Sequence, residues 1–289
     1  MIAEIASAII AGVVLASMYA LAGVGLTLVW GVLKVLNFAH GSFITLGAYF
    51  AWVALMFFGE NYPVAILFAV GLSFMLGFVL NVASIRPLQG RPESENNVFI
   101  ATLATSIVLE NLVIIVFGGR YKPIPSLVPG SIAIGTITIN FQQLVIIAAA
   151  PIILVTLMLY LNRMKSGMAV RAVAQDPDGA SIVGIDNRKI YSYTIAIGCL
   201  MAGLAGVLLG VIFYLYPGMG GDLLVRVLFV TVLGGMGSVK GTIYAAYIIG
   251  LIDAFARYFV GLFWASPILF VMFVIIILIR PEGLYGVKV

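Results

Sequence analysis

The charge-free stretches of this chain restrict its fold more than any other feature. No Asp, Glu, Lys or Arg occurs between Glu4 and Lys34, between Lys34 and Glu60, or between Glu60 and Arg86. The same holds from Lys122 to Arg163, from Lys189 to Asp222 and from Arg257 to Arg280. A helix that crosses a bilayer needs about 20 mostly apolar residues. These stretches are long enough, and several follow directly on one another. Of the 289 residues, 63% are hydrophobic and 9% charged, against about 25% charged in a soluble domain. A soluble fold is excluded, and an all-α integral membrane protein is expected. The N-terminal run is too long for a signal peptide and lacks its basic flank, so it is expected to stay as the first span. One cysteine, Cys199, leaves no intrachain disulfide and no multi-cysteine metal site. No metal and no cofactor is expected in this chain. The net charge of +4 suits basic loops beside a membrane rather than a nucleic-acid surface.

Spans are predicted at roughly 5–31, 40–58, 63–84, 97–117, 142–162, 190–214, 240–260 and 264–280, each near the length a bilayer demands. A shorter segment at about 222–236 either crosses or dips in and returns. That makes eight to nine membrane segments in one transmembrane domain spanning 1–289. With the N-terminus outside, the inner side receives Lys34, Arg86, Arg91, Arg163, Lys165, Arg171, Arg188, Lys189, Lys240, Arg280 and Lys288. The outer side receives Arg120, Lys122 and Arg257. The positive-inside rule therefore places the N-terminus out and the C-terminus in, provided that the short segment counts as a crossing. Residues 85–96 then form a short inner loop, 118–141 the outer loop and 163–189 the long inner loop. Within the outer loop, Ser131 to Ile139 is rich in Thr and Ile and broken by Gly135, which predicts a small β-hairpin. Small residues repeat every four positions at Gly198, Ala202, Gly206 and Gly210, and again at Thr242, Ala246, Gly250 and Ala254. That spacing lets helix backbones approach closely.

The inner loop is the most informative segment. Met168 to Ala174 reads as a short helix carrying Arg171. Asp176 suits an N-cap, Pro177 the first helical position and Gly184 the residue after the helix end. The resulting two-turn helix is expected to present Ala180 and Val183 on one face. It is too short to be stable alone, so it needs a surface to dock against. Either it receives force from a soluble motor, or it lies on lipid.

Tyr19-Ala20-Leu21 with Gly25-Leu26-Thr27, Asn37-Phe38-Ala39-His40-Gly41, Arg86-Pro87-Leu88, Ser166 to Ile185, Leu233 to Ser238 and Arg280-Pro281-Glu282-Gly283 occur in this order. Together they resemble the LivH-type family of branched-chain amino acid ABC permeases, over essentially the whole chain. The resemblance implies an alternating-access importer subunit in a prokaryotic inner membrane. Its implied partners are a second permease subunit (LivM-like, or a second copy), two cytoplasmic ABC ATPases and an extracytoplasmic solute-binding protein. It also implies ATPase coupling through the inner loop, with Gly167, Arg171, Asp176, Pro177, Ala180, Val183 and Gly184 as the residues concerned. ATP belongs to the partners, since this chain has no Gly-x-x-x-x-Gly-Lys-Ser/Thr loop.

The substrate pathway is expected around Asn37, His40, Gly41 and Ser42, where one span hands over to the next. Asn37 can cap the coming helix, and Gly41 and Ser42 let its N-terminus approach a ligand. Gly237-Ser238 precedes a later span in a similar way, and paired glycine interruptions mark binding sites in transporters. The alternative is that His40 only anchors at the interface and Asn37 is only a cap. Many family members carry an acidic residue where this chain has Ser42. That keeps urea and short amides open as solutes beside an amino acid. Glu110 and Asn111 lie in the fourth span, with Thr105 and Ser106 nearby, and can line the pathway. Asp253 is expected to pair with Arg257 one turn later. Arg226 can partner either carboxylate. An ion-coupled secondary transporter using Glu110 and Asp253 is the rival reading. A membrane enzyme is disfavoured by a single His, a single Cys and no metal motif.

Overall fold

The structure, a computed structural model, describes residues 2–135, 137–280 and 282–286. Thr136, Pro281 and Lys288 lie outside the described residues. The helices are α1 (Ile2–Leu33), α2 (His40–Phe58), α3 (Tyr62–Leu80), α4 (Ser94–Phe117), α5 (Phe141–Arg163), α6 (Lys165–Gln175), α7 (Pro177–Ile182), α8 (Asn187–Ile212), α9 (Met219–Gly234), α10 (Val239–Phe259) and α11 (Leu262–Ile279). Among the described residues, eight of them are long and apolar enough to cross a membrane: α1 to α5, α8, α10 and α11. They match the predicted spans and differ only at their ends. The short segment is a full helix, α9, of 16 residues.

Two strands, β1 (Ser131–Ile134) and β2 (Ile137–Asn140), pair antiparallel with Ser131 opposite Asn140. This is the expected hairpin, with Gly135 in the left-handed region at φ +64°. The hairpin joins α4 to α5 at the end of the bundle where α1 begins. The connection 118–130 lies there too, tied to the α8–α9 link by the Lys122–Leu215 bridge. At the other end, α6 packs against α1 and α5, and Gly237 stands beside Gly31. Successive membrane helices alternate in direction once α9 is counted between α8 and α10; α9 runs towards this second end, where Gly234 meets Gly241. Arg120, Lys122 and Arg257 fall towards the first end. The other loop cations among the described residues gather at the second.

The core is the set of crossings that α1 and α8 make with α10, α2 and α3. Tyr19, Met18, Leu21, Phe43, Tyr49 and Ile195 are fully buried there. Both small-residue rows lie in these crossings. Gly206 sits on the Ile44 carbonyl of α2, and Gly250 sits on the backbone of Ala16 in α1. A side chain at Gly206 would occupy the place of that carbonyl. Gly206→Val is therefore expected to destabilise the bundle by about 1–3 kcal/mol, the usual effect of overpacking. A lowered thermal unfolding midpoint in detergent would register the loss.

Candidate functional site

The chain does not pass from α1 to α2 at the end of the bundle. Lys34 adopts φ +57° and turns it back inwards. His40, the first residue of α2, donates from Nε2 to the Ala22 carbonyl at 2.9 Å. Ala22 lies about 16 Å in from the end of α1, by the rise of an α-helix. The Phe38 N–H donates to Thr102 Oγ1 at 3.2 Å, and the Ser42 and Ser106 hydroxyls share a 2.8 Å bond. The N-terminus of α2 is thus deep inside the bundle.

The start of α9 meets it there. A Cβ on Gly41 would stand 2.8 Å from the Gly220 carbonyl oxygen, so only glycine allows this approach. The Gly220 N–H donates to Thr45 Oγ1 at 3.0 Å, and Thr45 Oγ1 donates to the Pro217 carbonyl at 3.3 Å. Two helix N-termini, each with unspent N–H groups and a positive dipole end, converge on one region. The pairing expected from sequence was with Gly237-Ser238, and that differs. Gly237 lies near the second end, and Ser238 caps α10 by accepting from the Gly241 N–H at 3.2 Å. The true counterpart is the stretch of Gly218, Gly220 and Gly221. Its signal was visible as glycines before an apolar run too short for an ordinary span.

On α4, Thr102, Ser106 and Glu110 recur every four residues and so share one face. They run beside this junction, with Glu110 Oε1 3.3 Å from where a Gly218 Cβ would stand. The other α4 candidates leave the row. Thr105 is turned away towards the π-helical turn Asn81–Ile85 that follows α3, where it bonds the Ser84 hydroxyl at 2.8 Å. Asn111 is exposed on the outer side and donates to the Ile107 carbonyl at 2.8 Å. Asn37 is not the helix cap, because Ala39 takes that place. Its Oδ1 accepts from the Ala39 N–H at 3.1 Å and closes a turn. Nor does His40 anchor at an interface, since it is fully buried. A carbonyl only accepts, so His40 carries a proton on Nε2, and in the neutral ring its Nδ1 is an acceptor. That Nδ1 and the Asn37 Nδ2 donor, both buried, have no partner among the described residues.

Asp253 is fully buried and serves structure. Arg257 donates to it twice, at 2.9 and 2.8 Å. Arg226 of α9 stands 3.3 Å away as a second ion pair, and the Tyr19 hydroxyl of α1 donates to the same carboxylate. Arg226 thus partners Asp253 and not Glu110. A carboxylate held by two guanidiniums is a poor ion-coupling site, because its charge is already matched.

The inner loop folds as expected in outline. Asp176 Oδ1 accepts from the N–H groups of Asp178 and Gly179, both at 3.0 Å, and caps α7. Gly184 sits at φ +87°, and the Ile185 N–H donates to the Ala180 carbonyl at 3.0 Å, closing the helix end. α6 begins at Lys165, earlier than predicted, and Arg171 donates to Asn162 Oδ1 at 2.9 Å. Gly167 is buried against the Tyr160 carbonyl and shapes the α5–α6 turn. Asp186 caps α8; the Lys189 backbone N–H and side chain hold its carboxyl below the usual carboxylate range. One expectation fails. Ala180 and Val183 do not share a face: Ala180 is buried, while Ile182 and Val183 are 86% and 75% exposed. A six-residue helix spends its one inward position on docking, which leaves its C-terminal end bare.

An eight-span helical bundle, opened at its centre by two helix starts and carrying a capped helix on one end, defines a polytopic membrane permease. The chain belongs to the family of permease components of branched-chain amino acid transport systems, whose sequence profile matches residues 8–279. Curated relatives agree. The high-affinity branched-chain amino acid transport system permease protein BraD of Pseudomonas aeruginosa is 29% identical, over 95% of this chain and 94% of its own. LivH of Escherichia coli is 29% identical over 95% and 93%. The probable LivH of Methanocaldococcus jannaschii is 28% identical over 95% and 90%. Among solved structures, PsaBC from Streptococcus pneumoniae in complex with Fab shares the fold at 14% identity. Its TM-score is 0.50, covering 98% of this chain and 97% of that one. The chain is therefore a multi-pass permease subunit of an ATP-binding-cassette importer and not an enzyme. Membership implies ATPase and binding-protein partners.

Proposed function

We propose that this subunit passes an amino acid, most suitably a branched-chain one, through the region where α2 and α9 begin. It would sit in a prokaryotic inner membrane with its N-terminus outside. The partners are two cytoplasmic ATPases, one of them docked on α7, a second permease chain, and a binding protein on the outer side. The observation that carries the motor contact is α7 itself: capped at both ends, pinned by Ala180, with Ile182 and Val183 bare at the basic end of the bundle. Such a helix is built to be gripped. The names of the relatives support the solute. So do the convergent helix N-termini, which suit a carboxylate.

The pathway reading assigns Asn37, His40, Gly41 and Ser42 to the α2 start, and Ser106 and Glu110 to the facing wall. Thr105 and Asn111 support it less, because they point elsewhere. Glu110→Gln is expected to slow uptake by about tenfold, the scale of one lost charge-assisted hydrogen bond, while the complex still assembles. Normal uptake by that variant would remove Glu110 from the pathway. The solute is tested in proteoliposomes bearing the whole importer, offered labelled leucine, urea or acetamide. Leucine uptake alone is expected. Uptake of urea or acetamide in its place would overturn the amino-acid reading and leave the importer reading intact.

A further inference from the structure

A cavity of about 410 Å³ lies between the ends of α8 and α10 and the starts of α9 and α11, towards the first end. Its polar wall carries Asp222, Arg226, Arg257 and Tyr216, and Leu209 and Leu223 stand on its apolar wall. This is within the usual size range of small-molecule sites.

The charges in it are arranged unusually. Asp222 and Arg226 are one turn apart on the same face of α9, where such residues normally pair. No ion pair joins them among the described residues. Arg226 leans back to Asp253 at 3.3 Å and donates to the Asp222 main-chain carbonyl and to Ser266 Oγ, both at 2.9 Å. The Asp222 carboxylate accepts from the Tyr216 hydroxyl instead. Arg257 spends two donors on Asp253. These bonds use only part of each guanidinium's fork. The cavity therefore presents separated positive and negative groups. The two arginines balance Asp222 and the buried Asp253. A lone anion or a lone cation would upset that balance, whereas a molecule bearing both charges would not.

We infer that this cavity binds a small zwitterion, its anionic group on Arg226 and Arg257, its primary ammonium on Asp222 and its apolar part against Leu209 and Leu223. Two sources share this chemistry: a free α-amino acid, and the headgroup of phosphatidylethanolamine. The free amino acid deepens the transport reading and rests on it, because the cavity lies on the side from which a binding protein would deliver.

The test uses the membrane complex of the permease chains and ATPases, without the binding protein, in phosphatidylcholine nanodiscs, with labelled L-leucine as probe. Leucinol and 4-methylpentanoate, which lack the carboxylate and the ammonium respectively, serve as competitors. Asp222→Asn is isosteric and outside the buried ion cluster, and its unfolding midpoint checks the fold. The free-solute arm predicts that Asp222→Asn weakens leucine binding by about tenfold, as when a charge-assisted hydrogen bond is lost. It also predicts that neither analogue competes well with wild type. The lipid arm predicts no leucine binding, with phosphatidylethanolamine co-purifying with wild type and depleted in Asp222→Asn. Either result supports the zwitterion site. Leucine binding and lipid retention both unchanged in a folded Asp222→Asn protein would overturn it. Failure of ATP-driven uptake would strike the importer reading and leave this binding measurement standing.

Discussion

Asp253→Ala is expected to destabilise the bundle by about 3–5 kcal/mol, the effect of leaving buried charge uncompensated. The carboxylate is fully buried, and the side chains of Arg226 and Arg257 are only 17% and 25% exposed. Removing it strands two guanidiniums and the Tyr19 hydroxyl at the meeting of α1, α9 and α10. Loss on this scale is a large share of the stability of most domains. The variant should therefore yield little folded protein in detergent, read as loss of the monodisperse peak and a lowered unfolding midpoint. Arg226→Gln leaves the bidentate Arg257–Asp253 pair intact and should cost distinctly less. An Asp253→Ala protein as stable as wild type would show that the cluster is not a structural clasp.

The second large effect is functional. Ile182→Asp with Val183→Asp should leave the membrane fold unchanged, since both side chains are exposed. It should nevertheless strip the ATPases from the complex. Each apolar anchor buried in a docking groove contributes about 1.5–3 kcal/mol, so losing both should weaken co-purification well beyond tenfold. ATP-driven uptake should fall with it. These positions are a better probe than Gly184, whose φ of +87° makes any substitution locally strained. Full retention of the ATPases by a folded double variant would contradict the coupling role of α7.

Much of this was legible in the residues themselves. Charge-free length marks spans because lipid leaves few alternatives. The Asp176 cap, Pro177 and Gly184 bracket α7 through local backbone chemistry, which sequence encodes directly. Asp253 and Arg257 are neighbours on one helix, so their pair could be read from spacing. Arg226 and Tyr19 complete the same cluster from distant helices, and no local pattern announces that. Depth was also invisible. Asn37 to Ser42 read as a boundary between spans, but the turn at Lys34 carries that boundary inward. The partner of α2 was sought at Gly237 rather than at Gly220 for the same reason: spacing along a chain does not report position across a membrane. Thr105 and Ser106 are adjacent in sequence, yet about 100° apart around α4, so they face different neighbours.

The central claim is that this bundle moves its solute by force received from separate ATPases. The direct measurement is leucine uptake into proteoliposomes, with the ATPases present or omitted and with proton and sodium gradients imposed or collapsed. Uptake is predicted to require the ATPases and ATP, and to be indifferent to the gradients. Uptake that persists without the ATPases and follows an ion gradient would contradict it.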